Sequence, residues 1–379
     1  MKLFVCGDVV NHTPRIDFIG KELSLIIQQA DYSVCNFEGA ELKQGQHAHC
    51  PHQEPGTAAY LRKVGFDLML LANNHITELG REAVNYSIDT IKATGADCMG
   101  AGLSLDETYR PLIKDISGDR YGFINVCEAQ VGQYLTKEQP CGYAWMGYEN
   151  LLKDVAALKN VCDSVIVFVH AGLEHYSIPL PEIRVFYRRI CDAGATSVIG
   201  GHTHSAQGYE YYSNKLIVYS LGNFFFPYPV GVWPEESISY SLIIELDKNS
   251  ITAVTPIHHF LLNGRVVLQR NIEKQINLES LCEKLADGYE DEVRKMCEDA
   301  YSNLCNRLLA EATCGEPEGL SFFQRIKRMV HYTIKRKKLV DKTKKYRDSL
   351  ILRLFENETY RWTIVRALKN RDLTRNENK

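Results

Sequence analysis

The chain has 379 residues, 45% of them hydrophobic and 24% charged, which gives ample material for a sizeable core and favours two domains over one. The net charge of −3 conceals an asymmetry: residues 325–379 hold 18 Lys and Arg against 6 Asp and Glu, a balance of +12 against −15 for the rest. No apolar run reaches the roughly 18 residues a membrane-spanning helix needs, and no low-complexity tract or internal repeat is visible.

The twelve cysteines are scattered without a CxxC pair, so they read as free thiols in a reducing compartment rather than a disulfide framework. The chain opens directly on a strand, Leu3 to Cys6, with no room for a signal peptide before it. Asp17 to Ala30 has helical spacing, with Phe18, Leu23, Leu25 and Ile26 on or near one face. Tyr32 to Phe37 is a strand, Thr57 to Val64 a helix ending at Gly65, and Asp67 to Ala72 a strand apolar on both faces. Arg81 to Ala93 is a helix closed by Gly95, Tyr121 to Val126 a strand, and Leu151 to Lys159 a helix. Ser164 to Val169 is the most apolar strand, and Glu182 to Ala193 a helix closed by Gly194. Thr196 to Ile199, Leu216 to Ser220 and Ser239 to Leu246 are further strands. After about residue 270 the texture becomes helical, from Glu273 to Leu309 and, beyond a break at Thr313–Gly319, from Phe322 to Ala367.

Strand, loop and helix in alternation predict an α/β protein with much parallel pairing. Polar clusters follow the strands: Gly7-Asp8, Asn36 to Glu38, Asn73 to His75, His170, and His202 to His204. The carboxyl ends of strands are where open α/β sheets bind ligands, so separate loops can converge on one site.

Gly200-Gly201-His202-Thr203-His204 can present two imidazoles to neighbouring metal ions, or be a loop with two surface histidines. In Ala72-Asn73-Asn74-His75, an Asn oxygen can ligate a hard cation and the adjacent His can reach a leaving-group oxygen, although Asn is also common in turns. His170, at a strand end before Ala171-Gly172, fits a ligand or a satisfied core histidine equally well. Asp8 and Glu38 supply carboxylates, one able to bind a metal and one to bridge two.

The order carboxylate, carboxylate, Asn-His, His, His-x-His resembles the calcineurin-like metallophosphatase superfamily. In detail it is similar to the poly-γ-glutamate capsule biosynthesis (CapA) family, with Asn36-Phe37-Glu38 in place of an Asp-rich block. Ala72 to His75 with Gly80, His170 with Gly172 and Glu174, and Ser220-Leu221-Gly222-Asn223-Phe224 complete the match over residues 1 to about 265. The resemblance implies a four-layer, metallophosphatase-like α/β sandwich with an added C-terminal α-helical region, divided as 1–268 and 269–379. It implies one or two divalent ions (Mn, Fe or Zn). Asp8 and His204 would hold one, Asn74, His170 and His202 the other, and Glu38 would bridge. His75 would act as general acid while metal-activated water attacks. Asn36, Asn73, Glu174, His175 and Asn223 would line the substrate site.

The implied activity is a phosphoesterase-like hydrolase or transferase in capsule or surface polymer biosynthesis, on an anionic polymer or a phosphoester. The rival reading is a non-catalytic assembly factor that binds the polymer. The chain departs from the family at Glu78, Ala171 and His175, where Asp, Trp and often Tyr are usual. Val10 stands where superfamily phosphatases carry a second His, which Asn11 or His12 would have to replace. His47, His49, Cys50 and His52 read as a polar loop near the cleft. The basic residues 325–379, with apolar neighbours such as Leu350 and Leu354, suit packing on an acidic domain or an anionic membrane surface. No nucleic-acid motif is visible. The expected location is cytoplasmic, with peripheral attachment at the inner membrane face as the variant.

Overall fold

The computed structural model describes residues 1–14, 17–130, 142–227, 238–305, 308, 312 and 347–377. They form two compact units, Met1–Tyr289 and Glu290–Lys379. The first contains two large sheets. One places β1 (Lys2–Val9), β2 (Tyr32–Phe37), β3 (Leu68–Leu70) and β4 (Asp97–Met99) in parallel succession. On the other side of β1 lie the antiparallel strands β14 (Ile238–Asp247), β15 (Ser250–Leu262) and β16 (Arg265–Leu268), and β13 (Asn223–Phe225) pairs with the end of β1. The second sheet has β7 (Asp119–Cys127), β9 (Ser164–His170), β10 (Ser197–Gly201) and β12 (Lys215–Val218) in parallel. Its antiparallel edges are β6 (Leu112–Ile116) and β11 (Tyr209–Tyr212). A small ribbon joins β5 (Ala101–Gly102) and β8 (Gly142–Tyr143).

The sheets pack face to face. Leu3, Val5, Val34 and Leu68 of one share a core with Phe123, Ile166, Phe168 and Ile199 of the other. Tyr32 stacks on Phe123 across the gap at 5.4 Å, a pairing that adds about 0.5–1.5 kcal/mol to its area burial. Helices cover the outer faces: α1 (Lys21–Gln28), α2 (Thr57–Val64) and α3 (Arg81–Ala93) on the first sheet's side, α5 (Leu151–Lys159) and α6 (Pro181–Ala193) on the second's. The short α4 (Leu105–Tyr109) flanks β5, and α7 (Leu278–Ala286) contacts β11. β2, α2, α3 and α5 have the bounds expected from the sequence. No helix among the described residues is long and apolar enough to cross a membrane, and the nine cysteines from Cys6 to Cys297 whose side chains are described are free.

Two expectations need correction. The helix from Asp17 to Ala30 is shorter, because residues 18–20 are extended. Val266 N–H donates to Phe18 O and Gly20 N–H to Val266 O, each at 2.8 Å, and Phe18 stacks on Phe225 at 4.1 Å. The helix from Glu273 to Leu309 is broken at Gly288, which adopts φ +71°. Beyond α7, α8 (Tyr289–Ala300) begins at the boundary of the second unit, where residues 347–356 and Glu358–Glu377 are also helical. The break at 313–319 and the basic runs 335–338 and 342–346 lie outside the described residues.

Candidate metal centre

Both sheets end at the same edge. β1 delivers Asp8, β2 delivers Asn36 and, just beyond it, Glu38, and Asn73, Asn74 and His75 follow β3. From the facing sheet β9 ends on His170, and β10 leads into His202 and His204. Close approach of backbones is what aims them. A Cβ on Gly7 would meet Gly222 O at 1.8 Å, and one on Gly200 would meet Tyr219 O at 2.1 Å. Side chains at either position would drive these strands apart.

Asp8, Glu38 and His204 form a buried cluster whose ligand atoms lie within 4.8 Å of one another. Asp8 Oδ2 and both oxygens of Glu38 are buried with no hydrogen-bond partner. Buried carboxylates left this way are costly unless a cation or proton satisfies them. Burial, then the charge of Asp8, pushes the Glu38 carboxyl up to about 8. Burial raises Asp8 too, but the His204 contact at 3.4 Å and the charges of His170 and His204 outweigh it and hold Asp8 below its ordinary value.

A second group of donors adjoins it. His170 Nε2 lies 3.0 Å from Asn74 Oδ1, 3.1 Å from His202 Nδ1 and 4.0 Å from Glu38 Oε1. Atoms sharing one ion at about 2.1 Å stand roughly 3.0–3.4 Å apart, so His170 has that spacing to both Asn74 and His202, and Glu38 lies between this group and Asp8. The donor set of carboxylate, carboxamide and imidazole suits Mn, Fe or Zn.

His202 and His204 adopt φ +86° and +55° and His175 φ +70°. Left-handed conformations outside glycine cost about 1–3 kcal/mol and gather at functional sites. All three lie in the loops that follow β9 and β10, and such torsions are invisible in sequence.

His75 Nδ1 contacts Glu78 Oε2 at 2.7 Å, which leaves Nε2 facing the site, 3.7 Å from Glu38 Oε1. Burial lowers the affinity of this ring for a proton, but Glu78 and then Glu38 more than restore it. Glu78, where the resemblance led to an expected Asp, thus braces His75.

Of the residues expected to bind substrate, three are buried and contact other groups of the site. The Asn36 carboxamide sits between Asp8 Oδ1 (2.7 Å) and His170 Nδ1 (3.2 Å). Asn73 accepts from Gly39 N–H and donates to Phe37 O, clamping the turn that carries Glu38. Asn223 Oδ1 contacts His204 Nδ1 at 2.9 Å. Glu174 is partly exposed, 3.8 Å from His202 Nε2, and the ring of His175 stacks 5.9 Å from His204. Asn11 donates Nδ2 to Thr57 and accepts at Oδ1 from Thr13, and His12 packs against Phe226 outside the Asp8–Glu38–His204 cluster. In the polar loop, His52 contacts Cys50 O at 2.7 Å, and no metal cluster forms there among the described residues.

Sequence reasoning missed three contributors. Gln53 donates Nε2 to Val9 O and Glu38 O and accepts from Asn11 N–H, tying β1 to the Glu38 turn. Glu128 and Gln130, beyond the end of β7, adjoin His202. The one signal for Glu128 was a charged residue directly after an apolar strand.

Two facing mixed sheets clad in helices, with side chains of a kind able to ligate a metal gathered at their strand ends, form a metallophosphatase-like α/β sandwich. The family model for the bacterial capsule synthesis protein PGA_cap matches residues 2–228, more than half of the chain, and the chain belongs to that family. Capsule biosynthesis protein CapA of Bacillus anthracis is 30% identical over 223 residues, 55% of this chain and 54% of that protein. A probable polyglutamine synthesis accessory protein of Mycobacterium tuberculosis is 24% identical over 220 residues, 54% of this chain and 58% of its own length. The chain therefore spans little more than half the length of these relatives. The 5'-nucleotidase precursor of Thermus thermophilus overlays with TM-score 0.43 at 14% identity, covering 78% of this chain and 59% of that one. An overlay at this level bears on neither substrate nor reaction.

Proposed function

We propose that this chain is a metal-dependent hydrolase or transferase of the phosphoesterase type, acting on an anionic polymer or its precursor during capsule production. The carrying observation is the set of buried, unpartnered carboxylate oxygens on Asp8 and Glu38 beside a converging Asn74–His170–His202 trio. A divalent ion bound there supplies Lewis acidity and lowers the pKa of water. Asp8 and His204 hold one position, Asn74, His170 and His202 the other, and Glu38 faces both. Asn36 and Asn223 fix the ligand side chains. His75 holds a proton at Nε2, braced by Glu78 at Nδ1, and gives it to the leaving oxygen. Glu174 and His175 form the rim that meets substrate.

The test is elemental mass spectrometry of freshly purified protein, together with hydrolysis of a generic phosphodiester in added manganese. Bound metal with turnover supports the reading. A well-folded protein that takes up neither metal nor substrate would sink it.

One observation favours a second reading, an accessory factor without turnover. Val10 is fully buried at the position of the superfamily's second histidine, His12 does not join the Asp8 cluster, and Asn11 is engaged by Thr57 and Thr13. That reading predicts capsule production in cells that survives Asp8→Ala with Glu38→Ala. Loss of production from a folded double variant would reject it.

A further inference from the structure

Glu38 lies between Asp8 and the group around His170, yet neither of its carboxylate oxygens has a hydrogen-bond partner. Its placement therefore comes from the backbone that carries it. The regular ladder does little to fix that backbone against Asp8. The register of β1 with β2 shifts between Val5 and Asp8, and that of β1 with β13 shifts between Asp8 and Val9. A segment from outside the sheet, Pro51 to Glu54, joins the two strand ends instead.

At its centre is Gln53, which is 0% exposed. Gln53 Nε2 donates to Val9 O at 2.6 Å and to Glu38 O at 2.7 Å, and Oε1 accepts from Asn11 N–H at 2.9 Å. Both amide hydrogens and the amide oxygen are thus matched to backbone groups of the right kind. The backbone of the segment is engaged as well. Gln53 N–H donates to Ala40 O at 3.0 Å, Leu42 N–H to Gln53 O at 2.9 Å, and Glu54 N–H to Asn11 O at 2.6 Å. The segment lies directly on the turn after β2, since a Cβ on Gly39 would meet Pro51 O at 2.5 Å. Asn73 holds the same turn from the side of Asn74, through Gly39 N–H and Phe37 O. Gln53 holds it from the side of Asp8.

We propose that Gln53 is a positioning residue of the metal site: one carboxamide fixes the chain just after Asp8 to the carbonyl of Glu38, and so sets the separation at which the two carboxylates meet divalent cations. The inference rests on the metal reading above. Two cations that share a bridging carboxylate stand about 3.5–4 Å apart, and ligands bind well only where their supports hold them to within about 0.5 Å of that geometry. Gln53 touches neither carboxylate, so its influence passes through the backbone alone. Glu38 N–H donates to Val9 O at 3.1 Å, and Gln53 adds the second tie, at the Glu38 carbonyl.

The test is titration of the metal-free full chain with cobalt(II), whose visible absorption reports ligand geometry. Gln53→Met keeps the length of the side chain and removes all three of its hydrogen bonds. It is expected to weaken cobalt binding about ten- to a hundredfold and to alter the absorption band. Gln53→Asn keeps the amide on a side chain one carbon shorter, which cannot span Val9, Glu38 and Asn11 together, and is expected to shift both in the same direction by less. Circular dichroism of each metal-free variant reports folding, so either variant alone suffices if the other does not fold. A role confined to the fold would lower the unfolding temperature but leave affinity and absorption band of the folded variants at wild-type values. That result would overturn the proposal while leaving the metal reading intact. Wild-type protein that binds no cobalt would overturn the metal reading itself, and this proposal with it.

Discussion

His202 Nδ1 and His170 Nε2 face one another at 3.1 Å inside the protein. Burial holds the proton affinity of His170 down to about 3 despite Asp8, and that of His202 well below its ordinary value, with neighbouring histidines adding to the effect. Both rings are therefore neutral at physiological pH and crowd their nitrogens toward one point. A divalent cation resolves this, so added manganese or zinc is expected to raise the unfolding temperature. Free ion at 100 times its Kd stabilises a folded state by about 2.7 kcal/mol. His202→Ala and His204→Ala are each expected to abolish that shift and the bound metal. Undiminished metal content in both, by elemental analysis, would reject the assignment.

The contact between His75 and Glu78 separates binding from chemistry. His75 is held at Nδ1 by Glu78, which is not a proposed ligand, at 2.7 Å, and meets the ligand Asn74 through its amide nitrogen, 3.2 Å from Nε2, rather than through the oxygen that would face the metal. His75→Asn is therefore expected to leave metal content intact while lowering kcat by about 10²–10⁴, the usual range for a lost general acid. Glu78→Gln keeps a hydrogen-bond acceptor but loses the charge that favours the proton, so a smaller fall in kcat and an activity profile displaced toward lower pH are expected. Equal kcat in wild type and His75→Asn would remove this residue from the mechanism.

Much of this was legible in the residues. Polar clusters after apolar strands marked the loops that the fold brings together, and the regular helices from Thr57 and Arg81 carried their own stop signals. What failed was local periodicity without tertiary context. Phe18 and Ile19 sit at helical spacing from Leu23, but β16 and Phe225 pull them into extended backbone. Asn36, Asn73 and Asn223 were legible as site residues but not as supports, because burial and hydrogen-bond partners decide between the two. Glu128 belongs to no motif, and only the alignment of β7 with β9 and β10 shows where it points.

Gly7 is a place where one methyl group should disturb both fold and site. Its missing side chain lets β1 approach the loop at Gly222, whose carbonyl oxygen accepts from Asp8 N–H at 3.2 Å. Overpacking a filled interior costs about 1–3 kcal/mol, and a backbone oxygen cannot rotate away as a side chain can. Gly7→Ala is expected to lower the unfolding free energy by at least that much, read as a fall in the denaturant midpoint, and to weaken metal binding through Asp8. A midpoint within error of wild type would show that the two segments yield independently.

Away from the site, Glu210 sets an acid limit on stability. Burial raises its carboxyl, but hydrogen bonds from Arg188, Arg184 and Tyr219 prevail and bring it from 4.5 to about 2. The folded state therefore binds this proton less readily than the unfolded chain does. The contribution is complete above pH 4.5 and is lost as pH falls from 4.5 toward 2. Because Arg188 is partly exposed, solvent screening leaves the contribution on the order of 1 kcal/mol. Glu210→Gln is expected to lower the urea midpoint at pH 7, and its difference from wild type should narrow steadily from pH 4.5 to pH 3. A difference that stayed constant over that window would mean that packing, rather than charge, is what Glu210 contributes.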